Sequence, residues 1–302
     1  MSDTMSDTSN ETSSEMLRPI GQSDLAETLG LFEPGNLPAT VAFVGAGGKT
    51  SAMYAIAERV ACGADIHAAF GMTSCRVVVT TTTHIRDPRL EDERRKKLFG
   101  HVIFESELDD GLPFCEANPI VVASRLLPDE GKLVGIDKEK APVFAGLCDL
   151  LLVEADGSKG RPVKAPAEHE PVVPPNATIV VGVIGLDCLG RALGPDVAHR
   201  PERFGALVGC AQGQKIEPQH LVRLVRSAQG LFKGSPESSR RVVLLNKADL
   251  APRCTLDSLL ELLAAQPQID DGEDFSVLVS CLIDGGMPKR ERDSDTDRKG
   301  SQ

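Results

Sequence analysis

Three short stretches of this 302-residue chain carry side chains whose types and spacing suit chemistry on phosphates. The first is Gly45-Ala46-Gly47-Gly48-Lys49-Thr50-Ser51, behind the apolar run Thr40–Val44 and ahead of an amphipathic stretch reaching Val60. Glycines let backbone N–H groups turn inward around an anion, and the helix that follows points its positive end at it. A lysine there reaches the terminal phosphates, and a threonine hydroxyl can ligate Mg²⁺. The usual spacing G-x-x-x-x-G-K-[ST] would put its first glycine where this chain has Phe43, so the loop is a variant. A tight strand-to-helix connection would also use glycines, but Gly-Gly-Lys-Thr directly behind an apolar strand favours phosphate binding.

The second stretch is Glu154 to Lys164. Glu154 and Asp156 emerge where the apolar run Leu150–Val153 should end as a strand, the position from which carboxylates hold Mg²⁺ or orient an attacking water. Lys159, Arg161 and Lys164 follow, cations suited to clamping phosphates and neutralising charge that develops during transfer. Thr50, Glu154 and Asp156 are thus the expected Mg²⁺ ligands, and Lys49, Glu154, Asp156, Lys159 and Arg161 the expected catalytic set. The third stretch, Asn246-Lys247-Ala248-Asp249, closes the apolar run from Arg241 and resembles the guanine-recognition motif of GTPases. The resemblance implies that Asp249 accepts from the guanine N1–H and amino group, while Asn246 and Lys247 brace the loop and cover the base. A wrong base would leave that acceptor unpaired, at about 1–3 kcal/mol. Weaker candidates are Thr80–Thr83 with His84, at the end of another β-branched run, and Asp187. His169, between Glu168 and Glu170, suits a metal ligand, a base or a solvated loop, the last being favoured, and His199 with Arg200 either face a ligand or cap a helix.

The elements that must position these residues alternate strand and helix. Strands are expected at Thr40–Val44, Arg76–Thr80, His101–Phe104, Ile120–Ala123, Leu150–Val153, Thr178–Gly185, Arg241–Asn246 and Ser276–Val279, with a turn or hairpin at Lys132–Ile136. Helices are expected after Lys49, over Arg89–Phe99, from Pro201, over Gln219–Phe232 and over Leu256–Ala265. This order predicts one α/β domain, residues 37–284, with a mostly parallel sheet, helices on both faces and a P-loop NTPase-like layout. Residues 1–36 hold seven acids against one base and are expected to be a mostly disordered acidic tail, Ala26–Phe32 adding a helical turn; residues 285–302 are expected to be a disordered charged tail. With no Trp, one Tyr and ten Phe, the core must be aliphatic. A net charge of −11 argues against nucleic acid as a partner. No segment reads as a membrane span or a signal peptide, which points to the cytoplasm. The eight cysteines are scattered, without the spacing of a disulfide framework or a zinc site.

FVGAGGKTS, TTTTHI, LLVEADGSKGRPVKAPAEHEP, VGVIGLDCLG, HRPERF and LNKAD, in this order between Thr40 and Ser280, resemble the YqeC family of accessory proteins for selenium-dependent molybdenum hydroxylases. The resemblance implies a P-loop NTPase-like protein that helps such a hydroxylase mature, with the hydroxylase or its cofactor-maturation proteins as client. Together with the three stretches it leads to an Mg²⁺-dependent nucleotide-binding protein that hydrolyses GTP or another NTP. Two alternatives stay open: a kinase or nucleotidyl transferase acting on a molybdenum or selenium cofactor precursor, and a nucleotide-gated chaperone that does not need hydrolysis. Oligomeric state is not legible in the sequence.

Overall fold

The computed structural model describes residues 21, 24–33, 35–63, 74–108, 111–114, 118–265 and 275–282. The expected disorder of residues 1–20 and 285–302 lies outside them. Strands form where β-branched and aliphatic residues run together: β1 (Ala39–Gly45), β2 (Val77–Thr81), β3 (His84–Arg86), β4 (Val102–Phe104), β5 (Ile120–Ala123), β6 (Arg125–Leu127), β7 (Lys132–Val134), β8 (Leu150–Glu154), β9 (Val163–Lys164), β10 (Ile179–Gly185), β11 (Ala198–His199), β12 (Arg240–Asn246) and β13 (Phe275–Val279). Helices are α1 (Leu25–Thr28), α2 (Lys49–Cys62), α3 (Glu93–Phe99), α4 (Ala141–Ala145), α5 (Pro201–Val208), α6 (Pro218–Arg226) and α7 (Arg253–Ala265).

Eight strands form one sheet in the order β13-β12-β10-β1-β8-β2-β5-β4. Every pairing in it is parallel. A sheet of this kind is covered on both faces, and its strands therefore lack the in-out alternation of a half-exposed sheet. Every residue of β1, β2, β5, β8 and β10 is buried. The two faces are nonetheless distinct: Val41 and Phe43 of β1 pack with Met53 and Ile56 of α2 and Leu25 of α1. Ala42 and Val44 pack on the other face with Phe204 of α5, Leu221 of α6 and Leu259 of α7. As expected from the scarcity of aromatics, this core is built from Val, Leu, Ile and Ala.

The chain runs from β1 to β2, β4 and β5 on one side, returns to insert β8 between β1 and β2, and then crosses to β10 on the other side of β1. The direction of winding thus reverses around β1, and in open parallel sheets the crevice outside the carboxyl ends at such a reversal is where ligands bind. The Gly45–Thr50 stretch begins at that point.

Two expectations need correction. The helix expected over Gln219–Phe232 ends at Arg226. Leu231 N–H turns back to Leu224 O at 2.9 Å, and Leu231 and Phe232 fill the space above Gly182 in β10, where a Cβ would lie 2.5 Å from Leu231. Packing of this pair on the sheet outweighs the local periodicity. The charged stretch Arg89–Phe99 splits into a 3-10 turn at Pro88–Leu90 and α3, because the Asp92 side chain accepts from Arg95 N–H and starts a new helix there. Beyond β2, His84 opens β3, which joins the hairpin β6–β7 as an antiparallel three-stranded sheet.

Phe43 stands fully buried in the middle of the central strand, between β8 and β10. Phe43→Ala is expected to lower unfolding stability by about 3–5 kcal/mol in chemical denaturation, from lost transfer energy plus the cavity. A loss below about 1 kcal/mol would mean that the sheet can collapse around this site.

Candidate functional site

Four strand ends meet in register at the carboxyl edge. Gly45 ends β1, Glu154 ends β8 opposite Phe43 and Thr81, Gly185 ends β10, and Asn246 ends β12 opposite Gly185. Between them the chain turns through Gly45, Gly47 and Gly48 at φ of 87°, 90° and 127°, backbone that only glycine adopts without strain. All three positions are also too close-packed for a side chain, a Cβ on Gly45 lying 2.4 Å from Val183 O. A Cβ on Gly47 would lie 2.2 Å from Gly185 N and 2.7 Å from Pro162 O, and one on Gly48 2.3 Å from Asn246 Nδ2. Gly48 then caps α2, a 14-residue helix whose first residue is Lys49.

Lys49 is buried, with 3 % of its surface exposed. Its ammonium donates to Gly45 O at 2.7 Å and lies 3.1 Å from Asp156 Oδ1. Asp156 Oδ2 accepts from Gly45 N–H at 3.1 Å and sits 3.1 Å from the Lys164 ammonium. Lys164 in turn bonds Glu170 Oε2 at 2.9 Å, and Arg200 forks onto both oxygens of Glu170 at 2.5 and 3.2 Å. A chain of alternating charge therefore runs from the loop to the start of α5: Lys49, Asp156, Lys164, Glu170, Arg200. Burial alone would lower the Lys49 pKa, but the Asp156 and Glu154 carboxylates overcome it and raise it, so the ammonium is charged at any ordinary pH. Asp156 Oδ1, although close to the Lys49 ammonium, is buried and outside hydrogen-bond geometry with any described group.

Thr50 Oγ1 donates to Glu154 Oε2 at 2.6 Å. Burial raises the Glu154 pKa against the pull of Lys49 and of the Thr50 hydrogen bond, so this carboxylate lacks a full complement of positive partners. A hydroxyl beside an under-compensated carboxylate is a hard-oxygen pair of the kind that Mg²⁺ takes alongside phosphate oxygens and water. Asp156 is engaged by a backbone N–H and two ammonium groups. Among the described residues no group of three or more His, Cys, Asp or Glu converges as a metal cage.

The other sequence candidates are distributed as follows. The hydroxyls of Thr80, Thr81 and Thr82 donate to the carbonyls of Val122, Glu154 and Val172, each at 2.7 Å, so they staple strand ends. His84 and His169 are exposed. Lys159 is exposed at φ 49°, and Arg161 is half-buried with Asp196 at 3.9 Å. Ser51 is buried in the first turn of α2. Asn246, fully buried, donates to Gly47 O at 2.9 Å and Leu282 O at 3.3 Å, and accepts from Leu282 N–H and Ser280 Oγ. Lys247, at φ 60°, bonds Asp187 Oδ2 at 2.9 Å. Asp249 is exposed, with Cys281 beside it: burial, first, and then the Asp249 carboxylate raise that thiol's pKa. The sequence placed Lys164 and Arg200 as separate cations and Glu170 only as a neighbour of His169. The Glu170–Arg200 pair spans 30 positions along the chain, and no local spacing signals it.

Fold and site together define a parallel α/β protein with a glycine loop at the switch point of its sheet and a Thr–Glu pair beside it. The family described as YqeC protein matches residues 41–202. The chain is also 33 % identical over 216 residues to "Uncharacterized protein YqeC" of Escherichia coli (strain K12), covering 70 % of this chain and 76 % of that protein. This chain belongs to the YqeC family. No solved structure matches it. No helix among the described residues is long and apolar enough to cross a membrane.

Glu170 supplies a pH test of the charge chain. Burial would raise its pKa, but the hydrogen bonds from Arg200 and Lys164 win and hold it at about 2, below the ordinary 4.5. A depressed carboxyl stabilises the fold fully above its unfolded pKa and loses that contribution as pH falls through the folded one. The window is therefore about pH 4.5 down to 2, and the contribution about 3 kcal/mol. Glu170→Gln is expected to be less stable at neutral pH and to show a flatter stability loss across this window in urea titrations. Parallel acid limbs in both proteins would remove Glu170 from the network.

Proposed function

We propose that this protein binds a purine nucleoside triphosphate, GTP by preference, with Mg²⁺, and uses its phosphates in support of selenium-dependent molybdenum hydroxylase maturation. The observation that carries the nucleotide reading is the position of Asn246. One buried side chain ties the carbonyl of Gly47, in the glycine loop, to the backbone of Leu282 behind the last strand. Whatever occupies the loop is thereby adjacent to the Asn-Lys-x-Asp segment, which is the adjacency that a phosphate site and a base site of one ligand require.

In this reading the loop amides of Gly47 and Gly48 and the start of α2 face the phosphates, whereas the Ala46 N–H is taken by Val183 O at 2.9 Å and is not a phosphate donor. Lys49 contacts the β and γ phosphates, drawing on a charge that Asp156 and Glu154 maintain. Thr50 and Glu154 hold Mg²⁺, which would neutralise charge on the phosphate oxygens. Asp156 holds Lys49 and the loop backbone together. Asp249 reads the base, Lys247 covers it, and Asp187 fixes the Lys247 ammonium. The client hydroxylase and its maturation proteins enter from the family resemblance alone, and the P-loop NTPase-like assignment is part of the same proposal.

The second reading is transfer of a phosphoryl or nucleotidyl group to a cofactor precursor. It is favoured by Lys159 and Arg161, because Pro162 O lies against the glycine loop at Gly47 and so keeps the segment that carries these two cations beside the loop.

Lys49→Ala is expected to reduce GTP affinity by at least about 100-fold in calorimetry, since it removes a charge-assisted phosphate contact of some 3 kcal/mol. Because Lys49 is buried against Asp156, the variant's fold is checked by circular dichroism, and Thr50→Ala serves as a milder second variant that should lose the Mg²⁺ dependence. Undiminished GTP binding by a folded Lys49→Ala protein would sink the loop assignment. Asp249→Asn should weaken GTP by about tenfold or more while leaving ATP unchanged. In the wild type, GTP should protect Cys281 from alkylation. Equal losses for both nucleotides, or no protection, would reduce the Asn-Lys-x-Asp segment to a strand end.

A further inference from the structure

Among the described residues the non-glycine positions with left-handed backbone are Lys159, Arg200 and Lys247, at φ 49°, 62° and 60°. All three are basic; Lys159 and Lys247 follow β8 and β12 of the large sheet, and Arg200 follows β11 of the two-stranded sheet. Left-handed backbone costs an L-residue about 1–2 kcal/mol, and long side chains rarely adopt it. Such outliers persist where the surrounding structure needs a side chain aimed in one direction, and they collect at ligand clamps. Lys247 is spent on Asp187 and belongs to the base side of the loop. The other two lie together on the opposite side.

His199 pairs in register with Lys164, and its imidazole lies in the field of Arg200, Lys164, Glu170 and Lys159. It is half-buried, and among the described residues it makes no hydrogen bond. The ammonium of Lys159 likewise has no hydrogen bond or ion pair there. Arg161 has a single distant partner, Asp196, 3.9 Å away and 85 % exposed. Against these cations stand two buried carboxylates, Asp156 and Glu170, each already shared between two cations. In a chain of net charge −11 this corner therefore carries uncompensated positive charge. The start of α5, with Arg200 as an N-cap that offers no side-chain bond, opens beside it.

We propose that Lys159, His199 and Arg200, with Arg161 at the rim, form a second oxyanion subsite that shares the Pro162–Gly47 wall with the nucleotide loop and takes the phosphate or carboxylate group of a small-molecule acceptor. The inference rests on the nucleotide reading and deepens it. The acceptor is anionic, and it is bound next to the triphosphate instead of being a protein client alone. Lys159 and His199 donate to the oxyanion, and Arg200, fixed by Glu170, supplies the wall behind it. Burial, and then the neighbouring cations Arg200, Lys164 and Lys159, lower the His199 pKa, while Glu170 raises it. An anion bound here would reverse that balance and raise it.

The test is a proton NMR titration of the six histidines of the full chain, His199 being assigned with His199→Asn, with inorganic phosphate or malonate as probe. We expect one or both probes to raise the His199 pKa by about one unit, as an opposite charge within contact range does. The shift should persist in Lys49→Ala, or in wild type saturated with a non-hydrolysable GTP analogue, and vanish in Lys159→Gln/Arg161→Gln. A shift with phosphate alone assigns a phosphomonoester, and one with malonate alone assigns a carboxylate. No shift with either probe, or a shift that disappears once the loop is filled or disabled, overturns the subsite. Calorimetric GTP binding on the same samples separates the failures. GTP binding without an anion shift defeats the subsite alone, and an anion shift in a protein that binds no nucleotide defeats the nucleotide reading.

Discussion

The structure depends on one run of buried charge, Lys49 to Asp156 to Lys164 to Glu170 to Arg200. Two of its links are long-range, α2 to the residues after β8 and the loop after β9 to the start of α5, and two are short, joining Asp156 to Lys164 of β9 and Lys164 to Glu170. Buried charges contribute little net stability when fully paired, yet removing one partner is costly because the rest of the chain keeps its charge in a low-dielectric setting. The run therefore acts less as a source of stability than as a constraint. It allows one relative placement of the glycine loop, the Glu154–Asp156 strand end and the loop that follows, and penalises every other.

That constraint operates where the sheet topology already opens a crevice. Around β1 the winding reverses, so the loops after β1, β8, β10 and β12 leave the same edge without a crossover connection above them. The glycines fill this space with backbone. Gly47 lies against Gly185 N and Pro162 O so closely that any side chain would push the neighbouring strands apart. Close backbone approach, positive φ and a ring of charge thus meet in the same few residues, while the remainder of the sheet is mostly aliphatic. Asn246 completes the arrangement from the other side, satisfying three buried backbone groups that would otherwise be costly to leave unpaired.

Two edges of the site differ in how their cations are used. On the β12 side Lys247 is neutralised by Asp187. On the β9–β11 side cations outnumber the carboxylates that can reach them, and strain in the backbone of Lys159 and Arg200 accompanies the excess. The two edges are chemically unequal, and a ligand spanning both would meet polar recognition at one end and net positive charge at the other.

Much of this was legible in the sequence. Continuous β-branched and aliphatic runs marked every strand of the parallel sheet, because a strand buried on both faces has no polar side to interrupt it. The glycine-rich turn, the carboxylates after Leu150–Val153 and the Asn-Lys-x-Asp segment were readable because each function is local, a spacing of a few residues at a strand end. Of the small antiparallel sheet the sequence signalled only a turn or hairpin at Lys132–Ile136; that stretch holds the strand β7, the turn of the β6–β7 hairpin lies before it at Pro128–Gly131, and β3 and β6 were not legible. What the sequence could not determine is long-range. The shortening of α6 follows from Leu231 and Phe232 docking on Gly182, and the use of the Thr80–Thr82 hydroxyls as staples follows from which carbonyls the fold brings near. Pairing Lys164 with Asp156 and Glu170, and Arg200 with Glu170, is likewise a property of tertiary packing. A side chain's charge is written in the sequence, but whether it faces a ligand or another charge is decided by the solvent and partners that folding leaves around it.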